Sequence, residues 1–182
     1  MKLIAETAWH HQGDYDFMKN LVSQIAVNTE ADIIKMHITL DFEEYMDPSH
    51  DAYTLLKPWL FDKEQWTELI EIVRNNNKQV MLLLNDIEAI KFGLSLSPEY
   101  VEIHSACLND VFMLDELKKE LPLSTKVVLG VGGTNVDEID HAINYLKHPN
   151  ILLMFGFQNY PTIYKDVNLN KIRKIMKLFD NF

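Results

Sequence analysis

Two pairs of polar residues sit inside apolar runs at a spacing that suits chemistry. Lys35 and His37 stand two apart in ADIIKMH, and Glu102 and His104 stand two apart in YVEIHS. Alternate residues of an extended strand share a face, so each pair projects from one side of its strand. Glu6 ends another short apolar run and leads into Trp9, His10 and His11. An ionised Lys35 and Glu102 within neighbouring apolar strands are costly unless they are paired or bind something. Two readings stand side by side: a buried pair that compensates itself, and a polar floor for a small ligand. The histidines His11, His37 and His104, with Glu6 or Glu102, could also gather round a divalent metal. None shows a tight ligand spacing such as HExxH, and His37 and His104 are the metal candidates that remain.

Other chemistry-bearing stretches are less specific. GVGGTN, residues 130–135, could cradle an anion at a helix start, but it has neither the lysine of a Walker loop nor the full GxGxxG pattern. A tight strand-to-helix turn explains it as well. Cys107 has no base tied to it by sequence and reads as an inert thiol. No Ser-His-Asp arrangement is recognisable. Ser105, Gln158, Asn159 and Tyr160 follow apolar runs and are polar groups a ligand could meet.

These residues need elements to position them. Strand-like runs are predicted at Leu3–Thr7, Asp32–Ile38, Gln79–Leu84, Tyr100–Ser105, Lys126–Val131 and Ile151–Phe157. Several are apolar almost throughout, as strands buried on both faces should be. Helical stripes fall between them: Phe17, Leu21, Ile25 with Met18, Val22, Ala26; then Trp66, Leu69, Ile70, Val73. Asp62 with Gln65 predicts a capping box. Thr134 is the expected cap of a helix carrying Val136, Ile139, Ile143 and Leu146. Asn168 is the expected cap of another carrying Leu169, Ile172, Met176 and Phe179.

Alternation of strand and helix implies parallel strands joined by right-handed crossovers, in a doubly wound sheet or a (β/α) barrel. The count is six units, and a closed barrel has eight. Both architectures bind ligands at the C-terminal strand ends, where the polar pairs fall. The long connection from Thr39 to Phe61 is the kind that serves function. Residues 1–182 read as a single domain.

The formal net charge is −10, with no basic patch, which argues against nucleic acid and anionic membranes as partners. The segment KIRKIMK, residues 171–177, reads as a solvated helix face. No apolar run reaches the roughly 18 residues of a membrane span. No signal-peptide pattern opens the sequence, and a single cysteine excludes an internal disulfide framework, so the cytoplasm is the expected compartment.

Five segments in order resemble the sialic acid (N-acetylneuraminate) synthases. IAETAWHHQGD, residues 4–14, is similar to their opening motif; ADIIKMH, residues 31–37, to their second strand with its lysine; YVEIHSACLND, residues 100–110, to a fourth-strand motif of the K-I-x-S type. KVVLGVGGTNVDEIDHAI, residues 126–143, is similar to their fifth-strand turn and helix, and NYPTIYKDVNL, residues 159–169, to a long N-Y-P-T-P-x-x-D-V-N-L segment. The resemblance implies a (β/α) TIM-type barrel, here partial with about six units and without the family's C-terminal antifreeze-like domain. It implies condensation of phosphoenolpyruvate with an N-acyl sugar aldehyde, with a divalent metal, manganese or magnesium, polarising the carbonyl. The family's metal-binding histidines fall in the last quarter of its barrel, and their counterparts are not expected within residues 1–182.

Position by position, the resemblance implies catalytic roles for Glu6 and Lys35 and substrate contacts for His11, Glu102, Ser105, Gln158, Asn159 and Tyr160. Four positions depart from the pattern. Glu102 stands where the family has a second phosphoenolpyruvate-binding lysine, Gly130 where it has a serine, and Leu84 where it has threonine or serine. Gln158 stands where a small polar residue or asparagine is expected. The change at Glu102 turns attraction for an anion into repulsion. At ~4 Å and an effective dielectric of about 20, each such charge pair is worth about 4 kcal/mol before compensation. The expectation is therefore a diverged synthase-like protein of carbohydrate biosynthesis. The alternatives are a non-catalytic sugar-binding protein, a subunit of a split barrel, and a different barrel chemistry using Glu6, His37, Glu102 and His104. Open strand edges predict a homo-oligomer or a covering partner.

Overall fold

In the computed structural model, which describes residues 1–159 and 161–179, the six expected strands form one parallel sheet. They are β1 (Ile4–Glu6), β2 (Ile33–Ile38), β3 (Gln79–Leu84), β4 (Tyr100–Ile103), β5 (Lys126–Gly130) and β6 (Ile151–Met154). Their order in space is their order in sequence, and the sheet curls into a half-barrel. The doubly wound alternative is thereby set aside. The strands are shorter than predicted at several ends: β4 stops at Ile103 because His104 starts a 3₁₀ turn over Ser105–Cys107.

Alternation sorts the strand residues between two layers. Ile34, Met36, Ile38, Val80, Leu82, Leu84, Val101, Ile103, Val127 and Leu129 face the helices in the main core. On the concave side Ile33, Met81, Tyr100 and Val128 form a second, smaller cluster with Ile4 and Met154. The concave cluster is a floor, and the polar pairs stand above it on the same face. Both surfaces of each central strand are thus buried, which is why the runs look apolar throughout.

The helices are α1 (Tyr15–Asn28), α2 (Phe42–Tyr45), α3 (Tyr53–Leu56), α4 (Lys63–Asn75), α5 (Ile87–Ser95), α6 (Val111–Glu120), α7 (Val136–Leu146) and α8 (Leu169–Leu178). The long second connection therefore holds α2, α3 and a 3₁₀ turn at Lys57–Trp59. Helix α1 buries Met18, Val22 and Ala26, while Leu21 and Ile25 pack at its margin and Phe17 is exposed. Helix α4 has the expected capping box, Asp62 with Gln65, worth about 1 kcal/mol.

Two cap and stripe expectations are corrected. Asn135, not Thr134, caps α7, in a capping box with Glu138; the Thr134 hydroxyl donates to the Val131 carbonyl at 3.0 Å instead. Asn168 occupies the cap position of α8 but makes no side-chain capping bond. Helix α8 buries Ile175 and Phe179, while Leu169 and Met176 are exposed. Of the predicted stripe, Phe179 is therefore buried and Leu169 and Met176 are not.

Candidate functional site

The C-terminal strand ends bring four of the expected residues into one chain of contacts. Lys35 Nζ lies 2.8 Å from Glu102 Oε2 and 3.1 Å from Glu6 Oε2. The other oxygen of Glu6 lies 2.9 Å from His37 Nε2. Lys35 and Glu6 are register partners on β2 and β1. Glu102 is on β4, whose register partner on β3 is Leu83, so its strand does not adjoin that of Lys35 as expected; β3 runs between them. The long lysine side chain reaches over the concave side of β3 to close the gap.

Burial and charge set the state of these groups. The side chains of Lys35 and Glu102 are each 5% exposed, whereas Glu6 is 44% exposed. The His37 ring, aided by the Lys35 ammonium, holds the Glu6 carboxyl down at about 2, although burial pulls the other way. Glu102 shifts upward, because burial outweighs the attraction of Lys35. By angle Glu102 Oε2 lacks a well-formed hydrogen bond despite its short contact, and Ser105 Oγ is buried without a partner. Burial, then His37 and Lys35, lower the His104 pKa, which keeps the ring neutral; its Nδ1 accepts the Ala106 N–H at 3.2 Å. His11 is held down at about 4 by burial, and its Nδ1 accepts the Gly13 N–H at 3.0 Å.

Beside this cluster opens a cleft of about 600 Å³. Its floor is His37, Leu83, Asn85 and His104; its roof is the β2–α4 connection, with Tyr45, Met46 and Asp47. Trp9 forms the wall and stacks on Tyr45 at 5.9 Å, 16° from parallel. Asp86 fixes roof to floor: its carboxylate accepts from the Leu40 N–H and the Ala89 N–H, both at 2.7 Å. Glu44 adds a bond from the Ile87 N–H at 3.1 Å.

The remaining expected residues lie apart from the cluster. Gln158 is exposed and packs against the glycines of the β5 turn, and Asn159 donates to Asp166 at 3.0 Å. Tyr160 falls outside the described residues. The glycines have steric reasons: a Cβ at Gly132 would stand 2.9 Å from the Gly156 carbonyl, and Gly133 has φ +78°. At Gly130 a Cβ would stand 2.8 Å from the Ser105 nitrogen, so no side chain fits where the resemblance led one to look for serine. Leu84 faces the helices and cannot reach the site; the neighbouring Asn85 does, donating to Thr39 Oγ1 at 2.9 Å. Asn85 and Tyr45 are site residues the sequence reading passed over. The polar type of Asn85, just past a strand end, was the available signal; nothing in the sequence marked Tyr45.

A resident metal does not fit the described residues. Among them no three His, Cys, Asp or Glu side chains gather as a metal-holding group. His37 Nε2 faces Glu6 and His104 Nδ1 faces a backbone N–H, so both candidates have other partners. The thiol of Cys107 lines the cleft, and burial pushes its pKa up, away from nucleophilic use. Among the described residues no helix is long and apolar enough to cross a membrane.

Known proteins add a family to this geometry. The sequence profile described as "NeuB family" matches residues 24–182. The chain belongs to the NeuB family. Its relatives include an uncharacterized protein of Methanocaldococcus jannaschii, 28% identical across 98% of this chain and 52% of that protein. Another is the N,N'-diacetyllegionaminic acid synthase of Campylobacter jejuni, 26% identical across 97% of this chain and 57% of the synthase. In fold the chain is similar to the N-acetylneuraminic acid synthetase of Leptospira borgpetersenii, solved with citrate. The TM-score is 0.87 at 22% identity, over 97% of this chain and 61% of that one. The chain thus spans just over half the length of these two curated relatives.

Proposed function

We propose that this chain is a diverged sialic acid synthase-like protein of carbohydrate biosynthesis that keeps a sugar-receiving cleft and has lost the usual phosphoenolpyruvate site. The observation that carries the reading is the contact of Glu102 with Lys35 beside an aromatic-walled cleft. Family membership supports the carbohydrate setting. The Campylobacter relative is a synthase of an acidic sugar by its name, and the same class of reaction is the starting point for this chain.

In the family reaction the anionic phosphate and carboxylate need cations, and a metal polarises the aldehyde. Here the cation at Lys35 already faces two carboxylates, and the described residues do not form a metal site. No condensation step is therefore derived. What the residues can do is bind: Trp9 and Tyr45 offer apolar faces to a sugar ring. Asn85 and Asp110 lie on the cleft lining as hydrogen-bonding groups. His37 and Glu6 stand 2.9 Å apart beside the cleft.

The test is direct. Purified protein, offered phosphoenolpyruvate, manganese and a panel of N-acyl hexosamines, is expected to release no phosphate but to bind at least one sugar. Phosphate release at an ordinary turnover of about 1–100 per second refutes the divergence. A panel with no binding refutes the sugar cleft.

A second reading, a subunit whose open side is covered, is favoured by the sheet edges. Both β1 and β6 are paired on one side only, with Leu3 56% and Leu152 41% exposed beside them. Such edges are normally covered. A dimer or larger species by light scattering is the expected result, and a strict monomer at every concentration refutes it.

A further inference from the structure

We infer that Glu102 is a built-in anion: its carboxylate fills the place beside Lys35 that an anionic ligand would otherwise take, and so selects for ligands without a phosphate or carboxylate. The inference rests on the proposed ligand site at the strand ends and names which charge that site rejects.

Three observations converge. Lys35 Nζ has Glu102 at 2.8 Å and Glu6 at 3.1 Å, so its charge is already opposed twice. The two carboxylates are not equivalent. Glu6 is 44% exposed and shared with His37, so it can turn toward water; Glu102 is 5% exposed and enclosed. An anion in the place of Glu102 would have to evict that carboxylate into an apolar surrounding, and one in the place of Glu6 would still face Glu102. The cleft alongside offers no lysine or arginine as a substitute. Its lining carries Glu44, Asp47 and Asp110 beside the imidazoles of His37, His50 and His104, and His104 on its floor is neutral. Lys35 therefore has a carboxylate of the chain itself, enclosed and 2.8 Å away, in the position that opposes its charge.

Shortening Glu102 should convert this internal contact into a binding site. In Glu102→Ala the carboxylate is gone and its space is open, whereas Glu102→Gln removes the charge and keeps the volume. Formate, acetate and inorganic phosphate serve as probes at about pH 8, well above the ordinary carboxylate range. Melting temperature is read against probe concentration, with chloride at matched ionic strength as control. The expected result is a saturable rise for Glu102→Ala with formate or acetate, since a ligand that binds only the folded state stabilises it. Wild type and Glu102→Gln should show at least ~10-fold weaker effects. The rise should vanish in Lys35→Met with Glu102→Ala.

Equal stabilisation of wild type and Glu102→Ala overturns the inference, as does a folded Glu102→Ala that responds to no probe. Should Glu102→Ala fold only when formate is present, the inference is upheld. Should it fold under no condition, wild type decides: saturable binding of phosphoenolpyruvate or phosphate that Lys35→Met abolishes refutes the built-in anion, and no such binding upholds it. Sugar binding is scored separately. Rescue by anions without any sugar ligand leaves this inference standing and removes the carbohydrate reading.

Discussion

Lys35 and Glu102 meet at 2.8 Å across a strand to which neither belongs. The contact bridges β2 and β4, which share no backbone bond, over the concave side of β3. Its two ends are not interchangeable. Removing Lys35 strands a buried carboxylate, and Lys35→Met is expected to destabilise the fold by about 3–5 kcal/mol. Replacing both, Lys35→Met with Glu102→Leu, should recover most of that loss, because an apolar pair of similar volume has no charge to desolvate. Denaturant melts of the single and double variants check this; a double variant as unstable as Lys35→Met alone contradicts it.

His11 should make stability depend on mild acid. The ring is buried against Phe61, with centroids 4.4 Å apart, and its pKa is held down at about 4. The unfolded chain binds a proton near the ordinary value of about 6.5, so it takes up protons before the folded chain does. Stability is then full above about pH 6.5 and falls progressively toward pH 4, by on the order of 3 kcal/mol at most. His11→Phe should flatten that slope. A ring titration by NMR with a midpoint near 6.5 would contradict the burial argument.

Glu6 acts in a lower window. Its folded pKa of about 2 lies below the ordinary carboxylate value, so its contribution is present above about pH 4 and is lost as pH falls through 2. Because the side chain is 44% exposed, solvent screens the effect. His37→Ala should move the Glu6 carboxyl upward toward the ordinary range, which carbon-detected NMR titration reads directly. An unchanged Glu6 midpoint would show that His37 is not the main influence.

Restoring a serine at position 130 should harm the protein. A Cβ there meets the Ser105 nitrogen at 2.8 Å and the Ile103 carbonyl at 3.2 Å, both backbone atoms that cannot swing aside. Gly130→Ser is expected to cost about 1–3 kcal/mol through displacement of β4 from β5. A melting temperature equal to wild type would refute the steric argument.

Asp86 is predicted to hold the cleft roof. It is fully buried, and its two oxygens accept from Leu40 and Ala89. Asp86→Ala leaves two backbone donors without partners, at about 1–3 kcal/mol. The local effect should exceed the global one: amide exchange at residues 40–46 and at the start of α5 should rise more than exchange in β3. Uniform acceleration would mean that Asp86 stabilises the whole fold rather than the roof.

Much of this architecture was legible in the residues. The central strands showed because both of their faces are buried, and the Asp62 cap showed because capping is local. What failed depended on neighbours. Leu83 and Leu84 are the same residue type, so composition could not say which one faces the site; only the strand register does. Thr134 and Asn135 can both cap, and the choice follows from the Val131 carbonyl being within reach of the threonine. The charged pair was visible as a pair but was assigned to adjoining strands, because side-chain reach is not encoded in spacing. Tyr45 came to the cleft through a turn of the long connection that carries no sequence period.

The strand order has a kinetic meaning. Each strand pairs only with those next to it in sequence, so the sheet can grow one strand–helix unit at a time. Each of these parallel pairings still has to close a connection long enough to hold a helix, and that loop closure slows folding. The strand order also makes the sheet a linear array in which opening starts at β1 or β6 and travels inward. The bridge from Lys35 to Glu102 clamps the interior of that array, leaving the outermost strands as the first to fray.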